Sequence, residues 1–307
     1  MVDVTVLTPS YNYGRFIEDA LMSARCQLGV TVQHVIQDGG SVDQTQEILA
    51  RNNAHIDWAS EPDSGQSDAL NRALLRAKGR WIAWLNADEF YLPGGLASLV
   101  RRGDRSRADV VYGECVIVDE DGGMDRLLPQ YPFSARVLKS YGPCFSSCSA
   151  IFRRSVLGQE PWDVEIRRVM DWDLYLRLLQ RGADFLFVPL PVGAFRVHPD
   201  QVTAIPWQKW QQEDEFVAAR YGRSTDLMKR WKSYKRARWL HRTHKLLGGS
   251  YVRERRARAF HGRDLRWFGS QAGYVNYIDF LEHTYKRSLP DASGDMQGDR
   301  ATQPSDG

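Results

Sequence analysis

The sequence predicts an α/β protein with a mostly parallel central sheet that helices cover on both faces. In the first hundred residues, short runs rich in β-branched side chains alternate with helical patterns, so that the order strand, helix, strand recurs three times. The chain is also long enough to bury a large core, with 307 residues of which 43% are hydrophobic.

Four strands and three helices are predicted in this first part. The strands are expected where Val, Ile, Thr and Trp are frequent, at 4–8, 31–37, 55–60 and 80–86. The helices are expected where apolar residues recur every three or four positions, at 14–27, 41–52 and 65–79. Gly79 is expected to end the third helix, and Gly182 a later helix that includes Leu174 and Leu178.

Composition and local motifs disfavour several other classes of protein. The sequence has neither a run of eighteen apolar residues nor a basic leader, so no membrane-spanning helix or signal peptide is expected, and the predicted location is cytoplasmic. The four cysteines are unevenly spaced and lack zinc-ligand spacing, which predicts reduced, packed thiols. The segment "TPSYNYG" after the first strand is neither GxGxxG nor a P-loop, which disfavours a dehydrogenase or a kinase.

Polar residues follow each of the four predicted strands. In chain order they are Thr8, Ser10, Asn12, Asp38, Glu61, Asp63, Asn86, Asp88 and Glu89. Ligands of parallel sheets bind beyond the carboxyl ends of the strands, although Asp38 and Asp63 are equally consistent with ordinary turns. The adjacent Asp88 and Glu89 repel each other unless a cation lies between them, which suggests Mg²⁺ or Mn²⁺ bound together with a diphosphate.

Four segments of the chain together resemble the inverting glycosyltransferases of family 2, which have the GT-A fold. They are "TVLTPSYNYGRFIEDALMSA", "QDGGSVDQT", "SEPDSGQSDALNRALLRAKGRWIAWLNADEFYLPGGL" and "MDWDLYLRL". The resemblance covers about residues 1–200 and implies a Rossmann-like nucleotide-binding half in 1–100 and an acceptor half in 101–205. It implies transfer of a sugar from a nucleotide sugar, most often a UDP-sugar, to a saccharide or lipid-linked acceptor, plausibly in cell-surface polysaccharide or O-antigen assembly.

The same resemblance assigns residues to the donor. Those implied to bind the nucleotide sugar are Thr8, Ser10, Asn12, Asp38, Asp63, Asp68, Asn86 and Asp88. Among them Asp38 is implied to accept a hydrogen bond from the base. Asp88, Glu89 and His198 are implied to hold Mg²⁺ or Mn²⁺; the family more often has an aspartate at the position of Glu89, so the ion is either shifted or held mainly by Asp88.

The implied catalytic base is Asp171, which opens "DWDLYLRL". Asp171 and Asp173 can each also be read as a helix cap, and the helix dipole would help to keep Asp171 ionised. On the acceptor side, Trp162 could stack on a sugar and Arg153 could shape the pocket, although a core tryptophan and a solvated arginine remain alternatives.

The C-terminal third has a different composition. Residues 220–287 contain about eighteen Lys and Arg against about five Asp and Glu, in segments with helical periodicity. A basic helical extension is therefore predicted at 206–289 and a disordered tail at 290–307. The extension can be a solvated appendage or a contact with an anionic membrane surface. Nucleic-acid binding is not expected, because no recognised motif accompanies the charge.

Two other functions remain possible at this stage. A sugar nucleotidyltransferase shares a related sheet but is expected to have a Gly-rich, basic loop after the first strand, which "TPSYNYGR" does not match. A non-catalytic saccharide-binding relative is supported only by Glu89, whereas Asp38, Asp88 and Asp171 argue for an enzyme.

Overall fold

The computed structural model describes residues 1–201, 208–222, 227–266, 268 and 271–286. Its strands are β1 (Val4–Ser10), β2 (Val32–Asp38), β3 (Asp57–Ser60), β4 (Trp81–Trp84), β5 (Phe90–Tyr91), β6 (Val110–Val118), β7 (Met124–Leu128), β8 (Ala150–Arg153) and β9 (Phe185–Arg196). Its helices are α1 (Ile17–Arg25), α2 (Thr45–Arg51), α3 (Gln66–Leu75), α4 (Gly95–Arg105), α5 (Ala135–Ser140), α6 (Arg154–Leu157), α7 (Met170–Gln180), α8 (Gln208–Arg220), α9 (Leu227–Leu247), α10 (Ser250–Ala257) and α11 (Gln271–Tyr285).

The strands of the described residues form one sheet in the order β3-β2-β1-β4-β8-β6-β9-β5, with β7 beside β6. The first four strands are all parallel, as the sequence predicts. The second half is mixed, because β8 runs antiparallel to both β4 and β6 while β9 runs parallel to β6 and antiparallel to β5. The α/β class and the parallel arrangement of the first four strands are therefore confirmed.

Helices cover the first half of the sheet on both faces. Along β4, Trp81 and Ala83 belong to a core cluster with α1 and α4, whereas Ile82 and Trp84 belong to a second cluster with α3 and α7. Successive side chains of a strand point to opposite faces, so this division shows that both faces of β4 are buried. Of these four helices, α1 and α3 are among those predicted between the strands and α7 is the predicted later helix, whereas α4 was not predicted.

All three predicted helices are longer than the observed ones. The second begins at Thr45 rather than at Ser41, and the third ends at Leu75, so the prediction that Gly79 ends it is wrong: the Gly79 amide instead donates to the Thr5 hydroxyl of β1 at 2.8 Å. The first helix differs at both ends. It begins at Ile17 rather than at Gly14, because the amides of Phe16 and Ile17 both donate to the Tyr13 carbonyl and form a turn there. The helix at 170–180 ends as predicted, with Gly182 in the left-handed region at a φ of 80°. All four cysteines are free thiols, as predicted, and three of them are buried.

The C-terminal helices share a core with the sheet. Phe90, Val116 and Val118 of the sheet pack in one cluster with Phe260 and Phe280. Below them, the buried Glu114 carboxylate accepts hydrogen bonds from the Arg253 guanidinium at 2.7 Å and from the Tyr285 hydroxyl at 2.5 Å. The predicted boundary near residue 205 and the predicted tail at 290–307 lie outside the described residues. Within the described residues, none of the helices is long and apolar enough to cross a membrane.

Candidate active site

The carboxyl ends of β1 to β4 meet at one edge of the sheet, and most of the predicted donor residues lie there. Asp38 ends β2, and Asp63 follows β3. The two segments approach closely, since a Cβ atom added to Gly39 would lie 2.9 Å from Asp63 Oδ2. Only a glycine therefore fits beside the Asp63 carboxylate without moving it.

The Asp38 carboxylate holds two loops of this edge. Its Oδ2 accepts hydrogen bonds from the Ser41 amide at 2.9 Å and the Ser60 hydroxyl at 2.6 Å, and its Oδ1 accepts from the Ser41 hydroxyl at 2.5 Å. Asn12, at a φ of 58°, ties the first loop to the same segment, because its Oδ1 accepts from the Val42 amide at 2.9 Å. The base-binding role implied for Asp38 stays a prediction, and both of its oxygens already accept hydrogen bonds from the protein.

Thr8 and Ser10 differ in their surroundings, although both lie on β1. The Thr8 hydroxyl is buried and lies 2.8 Å from His34 Nε2, and burial lowers the pKa of His34 to about 3. Thr8 is therefore engaged inside the protein. The buried Ser10 hydroxyl has no hydrogen-bond partner among the described residues, so it is the member of this pair with unused bonding capacity.

Asp63 and Asp68 lie at the start of α3. Asp68 is engaged by Arg72, whose Nη2 donates to its Oδ2 at 2.9 Å, and by the Ser64 amide at 3.0 Å. Asp63 Oδ1 accepts from the Gly65 amide at 2.9 Å, while burial, together with the nearby Asp68, raises the pKa of Asp63. The negative charge of Asp63 is therefore less fully neutralised by neighbouring groups than that of Asp68.

Asp88 and His198 form the most specific pair of the site. His198 Nε2 lies 3.0 Å from Asp88 Oδ2, and both residues are buried. The imidazole packs against Phe16 with a ring-centroid distance of 4.7 Å, and its Nδ1 has no partner among the described residues. The structure therefore brings together two predicted metal ligands that lie 110 residues apart in the sequence.

Arg196 fixes the position of this pair. Its Nε donates to the Asp88 carbonyl at 2.9 Å, and its Nη2 forms an ion pair with Asp19 of α1 at 2.5 Å. The guanidinium is almost fully buried and lies over the Phe16 ring at 4.9 Å. Arg196 thus joins β9, α1 and the segment that carries Asp88.

Glu89 faces away from Asp88. Its Oε2 accepts a hydrogen bond from the Asn86 amide at 2.9 Å, and its buried Oε1 has no partner among the described residues. Burial, the neighbouring Asp88 and the nearby Cys115 raise the pKa of Glu89 well above its usual range. This placement gives no support to Glu89 as a metal ligand. Asn86 is likewise turned inward, since its Oδ1 accepts from Gln66 at 2.6 Å and from the Trp84 indole at 2.8 Å.

Asp171 lies in the first turn of α7, next to α3. The Ser67 hydroxyl of α3 donates to the Ile166 carbonyl at 3.0 Å and thereby holds the segment that leads into α7. Asp171 Oδ1 accepts from the Trp172 amide at 2.7 Å, and burial raises the pKa of Asp171 to about 6. Burial and the nearby Asp171 carboxylate also raise the pKa of Tyr175, whose buried hydroxyl has no hydrogen-bond partner among the described residues.

Asp173 and Trp162 are both held inside the protein by other side chains. Asp173 is buried and bonded to Arg177, Arg220 and the Tyr221 hydroxyl, so it anchors α7 to α8 and is not the helix cap. Trp162 is only 1% exposed and packs edge-on against Trp84 at 5.9 Å, which agrees with the core alternative.

Arg153 pairs in register with Trp81, at the start of β4, and therefore lies at the opposite edge of the sheet from Asp88. Its guanidinium packs over the Trp81 ring at 4.5 Å. The acceptor-side roles expected for Trp162 and Arg153 therefore gain no support.

Two residues near the site were missed by the reasoning from sequence. Tyr13 approaches His198 edge-on at 6.1 Å, and burial together with Asp88 and Glu89 raises the pKa of its hydroxyl. Asp19 receives Arg196 and also Arg266 of the C-terminal part at 3.0 Å. The motif "YNYGRF" contains Tyr13, but the sequence offers no signal that would pair Asp19 with residues so distant along the chain.

Comparison with known families agrees with this geometry. Residues 5–159 match the family model described as glycosyl transferase family 2, and this range is just over half of the 307 residues. The chain belongs to glycosyltransferase family 2.

Curated relatives cover part of this family 2 chain. The succinoglycan biosynthesis protein ExoO of Rhizobium meliloti is 31% identical over 156 residues, which are 49% of this chain and 44% of ExoO. The putative teichuronic acid biosynthesis glycosyltransferase TuaG of Bacillus subtilis is 37% identical over 91 residues, which are 28% of this chain and 36% of TuaG. This family 2 chain thus spans less than half of the length of each of these two relatives.

Solved structures confirm the GT-A fold. S. aureus TarS 1–349 in complex with UDP-GlcNAc superposes with a TM-score of 0.60 at 15% identity, covering 92% of this chain and 82% of that protein. The mannosyltransferase PcManGT from Pyrobaculum calidifontis, in complex with GDP-Man and Mn²⁺, gives a TM-score of 0.54 at 18% identity, covering 91% of this chain and 86% of that one. At 15% and 18% identity, these two superpositions show that the chain shares the fold of both proteins.

Proposed function

We propose that this chain transfers a sugar, with inversion, from a nucleotide sugar to a hydroxyl group of a saccharide or lipid-linked acceptor. The observation that carries the proposal is the pair of carboxylates Asp88 and Asp171, the first paired with His198 and the second recessed at the start of α7. Membership of family 2 supports transfer of a glycosyl group. A UDP-sugar is the first donor to test, since a solved structure of similar fold holds UDP-GlcNAc.

Asp171 is the proposed base of the reaction. The Trp172 amide orients its carboxylate by donating to Oδ1. As the acceptor oxygen attacks the anomeric carbon, its proton passes to Asp171, the new carbon–oxygen bond forms, and the bond to the donor phosphate breaks to release the nucleoside diphosphate. With a pKa of about 6, Asp171 is ionised at neutral pH and still basic enough to accept this proton.

A divalent ion fits this site if the donor helps to hold it. Among the described residues no group of three or more His, Cys, Asp or Glu side chains could hold a metal ion by itself. Asp88 and His198, however, offer an oxygen and a nitrogen 3.0 Å apart, and Mg²⁺ or Mn²⁺ characteristically completes its shell with water and substrate phosphates. When bound, such an ion would neutralise charge on the departing diphosphate. Asp88 and His198 are the proposed protein ligands, without the Glu89 that the resemblance also implied.

The proposed setting is the synthesis of a cell-surface polysaccharide. Two relatives are named for the biosynthesis of succinoglycan and of teichuronic acid, which supports this setting. The predicted cytoplasmic location is part of the same proposal. Side chains at the carboxyl ends of β1 to β4 are proposed to select the sugar. Ser10 offers a hydroxyl that has no hydrogen-bond partner among the described residues, and Asp63 offers a carboxylate whose charge is not fully neutralised.

The proposal is tested by turnover. Release of nucleoside diphosphate is measured for a panel of UDP- and GDP-sugars with Mn²⁺ and saccharide acceptors, for the native chain and for Asp171→Asn. Loss of the base should lower turnover by about 100-fold or more while nucleotide binding is retained. Asp184→Asn, an exposed aspartate beyond the end of the same helix, is the matched control and should keep full activity. Full turnover by Asp171→Asn would refute its role as the base.

A further inference from the structure

One face of α9 packs against the body of the protein. Ala237 is fully buried, the Tyr234 ring stacks on Tyr141 with centroids 5.4 Å apart, and His241 Nδ1 lies 3.0 Å from the Tyr131 hydroxyl. These contacts fix the rotation of the helix about its axis. They also determine which residues face outward.

The opposite face exposes a stripe of aromatic, basic and aliphatic side chains. The α9 stripe consists of Trp231, Lys235, Trp239, Arg242 and Leu246, which follow one another at intervals of three or four residues and are all exposed. This spacing matches the turn of an α-helix, so the five residues lie on one side of it. The exposed fractions of Trp231, Trp239 and Leu246 are 53%, 65% and 68%.

The charge of this helix is entirely positive. Its 21 residues include eight Lys and Arg and neither Asp nor Glu. Lys235 Nζ lies 3.6 Å from the centre of the Trp231 ring, so the basic and aromatic groups of the stripe are interleaved rather than separated. Leu247 and Val252, which follow at the end of α9 and in α10, are exposed as well.

We propose that the α9 stripe docks on the surface of an anionic phospholipid bilayer. Tryptophan places its ring at the boundary between head groups and acyl chains, and Leu246 and Leu247 can enter the same layer. The lysines and arginines then contact lipid phosphates and carboxylates, whose charge is complementary to that of the helix. This contact does not depend on glycosyl transfer, so it can be tested whether or not the proposed reaction is correct.

Two other partners fit the stripe less well. A second copy of the chain would bring two faces of the same positive charge together, and like charges repel. A single-stranded nucleic acid could stack on the two tryptophans, but it offers no apolar layer for the exposed aliphatic residues Leu246, Leu247 and Val252. The bilayer is the partner that matches both the charge and the apolar surface.

The test is co-sedimentation of the full chain with vesicles of phosphatidylcholine alone or of phosphatidylcholine with phosphatidylglycerol. Binding should require phosphatidylglycerol and weaken as salt is added, because exposed charges are screened. Lys235→Glu with Arg242→Glu should lower the partition coefficient by about tenfold or more. Trp231→Ala with Trp239→Ala should lower it by a similar factor, since two rings leave the interface.

The matched control is Arg102→Glu with Arg105→Glu, which reverses two exposed charges on α4. This control should bind the anionic vesicles as the native chain does, and circular dichroism should show that all variants remain folded. Equal binding of the native chain to both kinds of vesicle, or equal loss in the control, would overturn the proposal. So would tight binding of single-stranded nucleic acid, or formation of a dimer, if either depended on Trp231 and Trp239 while vesicle binding did not.

Discussion

At the scale of single residues, Asp88 and Glu89 are adjacent in the chain but have opposite environments. Asp88 meets His198 at the edge of the sheet, whereas Glu89 meets the Asn86 amide in the interior. The two residues lie in a turn between β4 and β5, in which the Glu89 amide donates to the Asn86 carbonyl at 3.1 Å, and their side chains leave this turn in different directions. The sequence alone could not decide which of the two faces the cleft, because either carboxylate can serve a metal ion.

This difference leads to a prediction about nucleotide binding. Asp88→Ala should abolish the metal-dependent rise in melting temperature caused by UDP, while Glu89→Gln should preserve it, since an amide oxygen can still accept from Asn86. At a ligand concentration of about 100 times Kd, the stabilisation lost in Asp88→Ala is about 2.7 kcal/mol. Thermal unfolding with UDP, with and without Mn²⁺, measures it. An equal loss in both variants would mean that Glu89 also serves the ion.

Asp171 makes a second residue-scale prediction, about pH. Its pKa in the folded state is about 6, above the ordinary 3.8, so turnover should rise as the pH increases through 6. The effect on stability has the opposite sign: folding favours the protonated form, so this carboxyl stabilises the fold less as the pH rises from 3.8 to 6. Asp171→Asn should therefore gain stability relative to the native chain across that window and hold the gain above it. Urea unfolding at several pH values measures the difference, and a constant difference would contradict the raised pKa.

At the scale of elements, the ion pair between β6 and α10 is the clearest link between the sheet and the C-terminal helices. Glu114 is buried and receives both Arg253 and the Tyr285 hydroxyl. A buried carboxylate that loses its partner keeps the cost of leaving water. The link is therefore much more sensitive to mutation than an ion pair on the surface.

Arg253→Ala should lower the free energy of unfolding by about 3–5 kcal/mol. The control is Arg15→Ala. Arg15 pairs with Glu120 at 2.8 Å, and both side chains are substantially exposed. Loss of this surface ion pair should lower the free energy of unfolding by less than about 1 kcal/mol. Chemical denaturation of the three proteins gives both values. Similar small losses in both variants would indicate that Glu114 finds another partner or becomes hydrated.

Elements that depend on local signals could be predicted from the sequence, whereas those that depend on distant partners could not. The parallel strands β1 to β4 and the helix α7 are specified by their own apolar periods and glycines, and they occur close to where they were expected. The buried position of Trp162 depends on its packing against Trp84, and the position of Arg196 depends on its ion pair with Asp19. Both partners are far away in the chain. No local pattern distinguishes such a tryptophan or arginine from one that contacts a ligand.

At the scale of the whole molecule, the basic C-terminal part behaves as a component of one core. The sequence predicts a basic helical extension from its composition, and composition does not reveal which residues join it to the sheet, namely Phe260 and Phe280 against Val116 and Val118. Arg266 adds a polar link, since it reaches Asp19 in the first helix. The helices α10 and α11 and the strand β6 should therefore lose their structure together.

Hydrogen exchange can test this cooperativity. Amides of α10 and β6 should open with about the same free energy, close to that of global unfolding, because they share a core. The surface helix α2 is the internal control and should open at lower free energy, since it packs on the sheet through one short face. Exchange of α10 at the rate of α2 would show that the extension unfolds independently.

The contacts of Arg196 and His198 with the Asp88 segment can form only late in the synthesis of the chain. Arg196 and His198, which hold the Asp88 segment, lie 108 and 110 positions after it. A ribosome makes the chain from its amino end, so the parallel half of the sheet can emerge and form while Asp88 still lacks both partners. This edge of the sheet is consequently completed late in translation, and a nascent chain that stops before His198 has the strands of the protein but lacks the Asp88–His198 pair.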